Sequence, residues 1–197
     1  MYNTANQTII PENTQFNHKH PRKMRISTLA PFLASIALTS AETLNVTVLG
    51  ARNNKSTLEC WALQPGFQTS ITPGTSGTEV LNLGPIGGSQ AGNSSYSVLP
   101  AEFDGGRHNA PALQWVIFLS GLAHITLPNS TAEAWITGGK NGAILALDTA
   151  DVSELGHITK YPSKESTVAL QIPLGEEGVP AHRVLHAGGC KGVELQV

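Results

Sequence analysis

The second half of the chain carries five imidazoles, at His108, His124, His157, His182 and His186, and no two of them stand at a metal-site spacing. Only two thiols occur, Cys60 and Cys190. In an oxidising compartment they would form one disulfide tying the start of the domain to its end. The competing reading, a reactive or metal-binding pair, finds no ligand spacing nearby. Asn45, Asn54, Asn93 and Asn129 each open an Asn-x-Ser/Thr glycosylation sequon. Trp61, Trp115, Trp135, Phe118 and Tyr161 are the aromatic residues able to wall an apolar pocket. Serine hydrolysis is unsupported, because no Gly-x-Ser-x-Gly occurs.

Composition limits what these residues can serve. The chain has 197 residues, of which 13% are charged, about half the usual share of roughly 25%. Its formal net charge is −2, and no basic block extends beyond one short N-terminal run, so nucleic acid is not an expected partner. That run is Lys19, Arg22, Lys23 and Arg25. The apolar stretch Ile26 to Leu38 follows it, and then the small residues Thr39-Ser40-Ala41. A basic flank, an apolar run and a small-residue exit make a secretory signal, and the run is too short for a bilayer span of about 20 residues. The expected organisation is a polar extension over 1–23, without periodicity and disordered, a signal peptide over 24–41 and a β-domain over 42–197. The expected location is the secretory pathway or the cell exterior.

From Thr43 onward, short segments of β-formers alternate with Gly, Pro, Asn and Ser clusters. Thr43–Leu49, Thr57–Leu63, Glu79–Leu83, Ser95–Leu99, Leu113–Leu119, Ala123–Leu127, Glu133–Thr137, Gly142–Leu147, Gly156–Tyr161, Thr167–Ile172 and Val179–His186 read as strands. Phe103–Gly106 reads as a turn, and Ala123–Leu127 as the hairpin partner of the strand before it. Asp148–Leu155 allows one helical turn, with Asp148 or Asp151 as its N-cap. Strands at this spacing point to an all-β sandwich or jelly roll. Period-two alternation puts Gln114, Val116 and Phe118 on one face and Trp115 on the other.

Two stretches resemble the paired motifs of the cupins. In the first motif, His108 and Ala110 stand where two ligand histidines belong, Gln114 where the glutamate belongs, and Gly121 where the closing glycine belongs. In the second, Gly156 and Pro162 match, whereas Lys164 replaces a glycine and Thr167 the last ligand histidine. The likeness covers the turn-forming scaffold residues and not the ligand set, so no metal is expected: a single imidazole with an amide is a poor transition-metal site.

Taken together, Thr43–Val48, Asn54–Trp61, Gly121–Pro128, Trp135–Gly142 and His182–Cys190 are similar to small secreted fungal cupin-like proteins. That group includes the hetero-Diels–Alderases of tropolonic sesquiterpenoid biosynthesis. The resemblance implies a cofactor-independent cycloaddition between a tropolone o-quinone methide and a humulene-type terpene. Such a reaction needs hydrogen-bond donors at the developing oxyanion and apolar walls that orient both partners. His108, Gln114 and Lys160 are the candidate catalytic groups. Trp61, Phe118, Trp135, Tyr161 and Thr167 are the candidate substrate contacts. The alternative is a non-catalytic binding module for a hydrophobic metabolite or glycan, which calls for a similar cavity. Exposed sheet edges also allow a homodimer.

Overall fold

The computed structural model describes residues 42–83 and 94–195. The N-terminal extension, the signal segment and the Asn93 sequon lie outside the described residues. The strands are β1 Asn45–Arg52, β2 Lys55–Leu63, β3 Gln68–Thr69, β4 Glu79–Val80, β5 Ser95–Leu99, β6 Phe103–His108 and β7 Gln114–Ser120. There follow β8 Leu122–Thr126, β9 Glu133–Thr137, β10 Ala143–Ala146, β11 His157–Tyr161, β12 Thr167–Pro173 and β13 His182–Ala187. A short 3₁₀ turn, Gly192–Leu195, comes after them. No α-helix occurs among the described residues, and no helix there is long and apolar enough to cross a membrane.

Two sheets carry the architecture, one of seven strands in the order β13-β2-β1-β10-β7-β12-β5 and one of four in the order β6-β11-β8-β9. Their inner faces meet in a core built from Leu49, Leu58, Phe118, Ile125, Ile136 and Ile144. The large sheet is covered on its outer face as well. There Val46, Val48, Trp61, Leu63, Trp115 and Leu145 pack together, with Leu81, Leu83 and Val179 laid over them. This second layer buries β1 and β10 on both faces, so that residues 46–49 and 144–146 are buried in succession although β1 alternates in sequence.

Three local expectations change. Phe103–Gly106 is not a turn: it opens β6, which pairs antiparallel with β11. The two glycines removed β-propensity from that segment, and pairing with β11 overrides it. The segment after Gly121 is not the hairpin partner of β7. β8 lies in the other sheet, between β11 and β9. Around residues 148–155 there is one hydrogen-bonded turn, with Ser153 N–H on the Thr149 carbonyl at 3.0 Å. Asp148 does not cap it. Its carboxyl is fully buried and turned to Ser56 and His157.

Gly121 is the residue that moves the chain from one sheet to the other. Its φ is +81°, and a β-carbon there would overlap Thr167. Gly156, at φ +60°, enters β11 against the His108 carbonyl, where a β-carbon would also overlap. The Cys60–Cys190 disulfide forms, closing a separation of 130 residues and fastening the C-terminal segment to β2. Asn45 Nδ2 holds the same segment by donating to the Glu194 carbonyl at 2.8 Å.

Gly121→Ala should therefore cost more stability than Gly106→Ala. Gly106 shares a positive φ, +63°, but has open space around its α-carbon. Denaturant melts are expected to show about 1–2 kcal/mol for Gly106→Ala, from left-handed backbone strain alone, and a clearly larger loss for Gly121→Ala. Equal losses would mean that Thr167 does not crowd Gly121.

Candidate functional site

Between the sheets lies a cavity of about 80 Å³, lined chiefly by β7, β10 and β11. Leu49, Val116, Phe118, Ile125, Ile144 and Ala146 form its apolar wall. Its polar lining is His108, Gln114, His157, Thr159, Tyr161 and Gln171. β7 contributes by parity, since Gln114, Val116 and Phe118 share the inner face while Trp115 packs in the outer layer. β11 follows the same rule. His157 and Thr159 are buried and Tyr161 is half-buried, whereas Lys160 between them is exposed.

Gln114 is only 6% exposed, yet its side-chain amide has no hydrogen-bond partner among the described residues. The amide is not sealed from water; the fully buried side-chain polar atoms without a partner among the described residues are Trp115 Nε1 and Asp148 Oδ1. The accessible atoms of Gln114 reach the cavity, so a polar group placed there would satisfy them. Gln171, on the facing part of β12, has its Oε1 occupied by the Ser95 and Ser97 hydroxyls.

Behind the cavity wall sits a buried polar network. Asp148 Oδ2 accepts from Ser56 Oγ at 2.6 Å and from His157 Nδ1 at 2.8 Å. Ser56 and Ser153 hydroxyls lie 2.7 Å apart, and Ser153 Oγ accepts from the Gly156 N–H at 3.2 Å. Asn109 Nδ2 donates to the Asp148 and Ser153 carbonyls, tying the end of β6 to the same turn. With Nδ1 committed to Asp148, His157 keeps Nε2 for the cavity. This is an oriented imidazole of the kind that moves protons.

His108 meets His157 with ring centroids 4.4 Å apart and planes 60° apart. Burial of the ring, and then the neighbouring imidazole, push His108 below the usual histidine range. Burial pushes the Tyr161 phenol up, so it stays protonated and able to donate. Tyr161 is flanked by Phe118 and Phe103, at centroid distances of 6.4 and 6.0 Å.

The candidates from sequence thus divide. His108, Gln114, Phe118 and Tyr161 meet at the cavity. Lys160 lies outside it, 3.2 Å from Asp104. Trp61 is in the outer apolar layer, stacked on His182 with its indole N–H on Glu59. Trp135 is on the outer side of β9. Thr167 is buried at the sheet crossing, where its Oγ1 accepts from the Leu122 N–H at 3.3 Å. Asp148, His157, Ser56 and Thr159 are functional neighbours that sequence reasoning missed. The available signal was strand parity: once Tyr161 is inward on β11, Thr159 and His157 must be too, and Lys160 cannot be.

The donor set bears on a metal. Of the four positions matching cupin ligands, His108 and Gln114 line the cavity with donor atoms, Ala110 offers none and Thr167 is engaged elsewhere. Among the described residues, the group of three ligating side chains within mutual reach is Cys60, His186 and Glu194, and Cys60 is in the disulfide. A larger open groove of about 630 Å³ runs between the β1–β2 hairpin and the β8–β9 loop, away from the candidate residues. The fold and site define an all-β, two-sheet protein with a small amide- and imidazole-lined internal cavity. No family model and no curated protein matches the chain.

The lowered His108 pKa has a sign. The unfolded chain takes up the proton near pH 6.5, before the native state does, so stability present above that pH is lost as pH falls through it. Urea midpoints are expected to drop more steeply below about pH 6.5 for the parent chain than for His108→Gln. Identical slopes would show that His108 is not held neutral.

Proposed function

We propose that the chain is a cupin-like jelly-roll enzyme of natural-product assembly that joins a tropolone o-quinone methide to a humulene-type terpene. The observation that carries the reading is the Gln114 side chain, which lines the cavity beside the Asp148–His157 pair without a hydrogen bond to any described residue. Gly121, Gly156 and Pro162 at the strand reversals support the cupin-like assignment.

Within this reading the cavity takes the oxygenated edge of the tropolone. At about 80 Å³ it holds less than a whole ring, since a cavity of about 150 Å³ accommodates benzene. The hydrocarbon partner lies at the mouth, against Phe103 and Pro111, both exposed. His157 Nε2 accepts the ring hydroxyl proton of a hydroxymethyl tropolone and returns it to the departing hydroxyl, which leaves as water. Cycloaddition then forms one C–C and one C–O bond and requires no further reactant. Donation from Gln114 and Tyr161 to the quinone-methide oxygen withdraws electron density from the heterodiene and lowers the barrier to an electron-rich alkene.

Secretion fits the disulfide and the exposed sequon residues Asn54 and Asn129. A homodimer is part of the same proposal, through a free sheet edge such as that of β5. The small cavity also favours a second reading, a binding module that holds one polar head group and catalyses nothing.

The test is product analysis of a hydroxymethyl tropolone with humulene, with and without the secreted chain. The parent is expected to raise adduct yield and favour one stereoisomer. Gln114→Leu is expected to lower the rate by about 10²-fold, the typical loss on removing one oxyanion donor. Binding of the tropolone with no change in rate or stereochemistry would overturn the enzyme in favour of the binding module.

A further inference from the structure

Trp135 is 50% exposed on β9, at the edge of the four-stranded sheet. A solvated indole has little reason to hold one orientation, yet this one is fixed from several sides. His124, its direct partner on β8, stacks on it with centroids 3.8 Å apart and planes 8° apart. Glu133 Oε2 bonds the far side of that imidazole, at Nε2, at 2.8 Å. Hydrogen bonds from His124 and then from the Trp135 side chain, with the Lys191 ammonium farther off, hold the Glu133 carboxyl below its usual range.

The remainder of the indole borders a cleft of about 260 Å³, shared with Glu133, Gly189, Lys191, Gly192 and Leu195. One flat aromatic wall thus faces a short glycine-containing segment, and a carboxylate and an ammonium stand at the rim. We propose that this cleft is a carbohydrate subsite that takes one pyranose ring of a neutral glycan on the open surface of Trp135. A pyranose has the matching two-sided chemistry: an apolar C–H face to lie on the indole and a rim of hydroxyls for Glu133, Lys191 and the backbone. A terpene matches less well, because packing hydrocarbon against the two charged groups would strip them of water without replacing their hydrogen bonds. Pre-fixing the indole removes the ordering cost that a free tryptophan would add to binding.

This cleft lies at the β9 edge of the small sheet and shares no lining residue with the cavity, so its failure leaves the catalytic reading untouched. The experiment is calorimetric titration of the full secreted chain with cellotetraose, laminaritetraose, chitotetraose and mannotetraose, together with humulene, at millimolar concentration. At least one tetrasaccharide is expected to bind. Trp135→Ala should lose that binding, Trp135→Phe should keep part of it, and Gln114→Leu should leave it intact. Glu133→Gln should weaken binding several-fold while the circular dichroism spectrum is unchanged. No binding of any tetrasaccharide, binding that survives Trp135→Ala, or binding of humulene alone at this position would each overturn the proposal.

Discussion

A carboxyl group with no exposure to water is the constraint on which the interior of this sandwich depends. Asp148 sits between the sheets just past the end of β10, where a carboxyl without any hydrogen-bond partner would be costly to bury. The chain answers with Ser56 from β2, His157 from β11 and, one bond farther, Ser153 from the turn itself. Ser56 and His157 both meet one oxygen, Oδ2, while Oδ1 is buried without a partner among the described residues; because the two come from both sheets, holding Oδ2 also fixes how the sheets meet at that end. The same bonds select which nitrogen of His157 is left for the cavity. A structural demand thereby produces an oriented imidazole beside the cavity.

The glycines work with this arrangement. Gly156 lets β11 start close against the His108 carbonyl, which brings the two histidine rings together. Gly121 carries the chain across the sandwich beneath Thr167, so β7 and β8 contribute to opposite walls of the core. At the other end, Cys60–Cys190 and the Asn45 amide pin the C-terminal segment beside β9, which creates the second wall of the Trp135 cleft. The molecule thus presents two unlike surfaces: a partly open cavity between the sheets with a mixed polar and apolar lining, and an open aromatic shelf rimmed by charge.

Much of the strand pattern was legible in the sequence because period-two alternation and Gly/Pro punctuation are local signals. β5 and β9 match the expected segments end to end, and Gln114, Val116 and Phe118 emerged from parity alone. What escaped was non-local. Phe103–Gly106 looks like a turn until β11 is there to pair with it. Asp148 looks like a helix cap because its partners are 92 residues before it and 9 after it. Lys160 and Tyr161 are both chemically suited to a site, but adjacent strand positions cannot share a face, and only Tyr161 lines the cavity. Trp61 and Trp135 look like aromatic walls in the sequence, but neither lines the cavity. The two-faced burial of the large sheet, which takes Trp61 into its outer layer, leaves no signature in composition.

The proposed reaction requires the cavity to receive the oxygen-bearing edge of a tropolone. A crystal structure of the chain soaked with tropolone tests it most directly. The ligand's oxygens are expected within hydrogen-bond distance of the Gln114 amide and His157 Nε2, with the ring directed toward His108 and the mouth. Tropolone bound elsewhere, with the Gln114 amide still unpaired or bonded only to water, would contradict it.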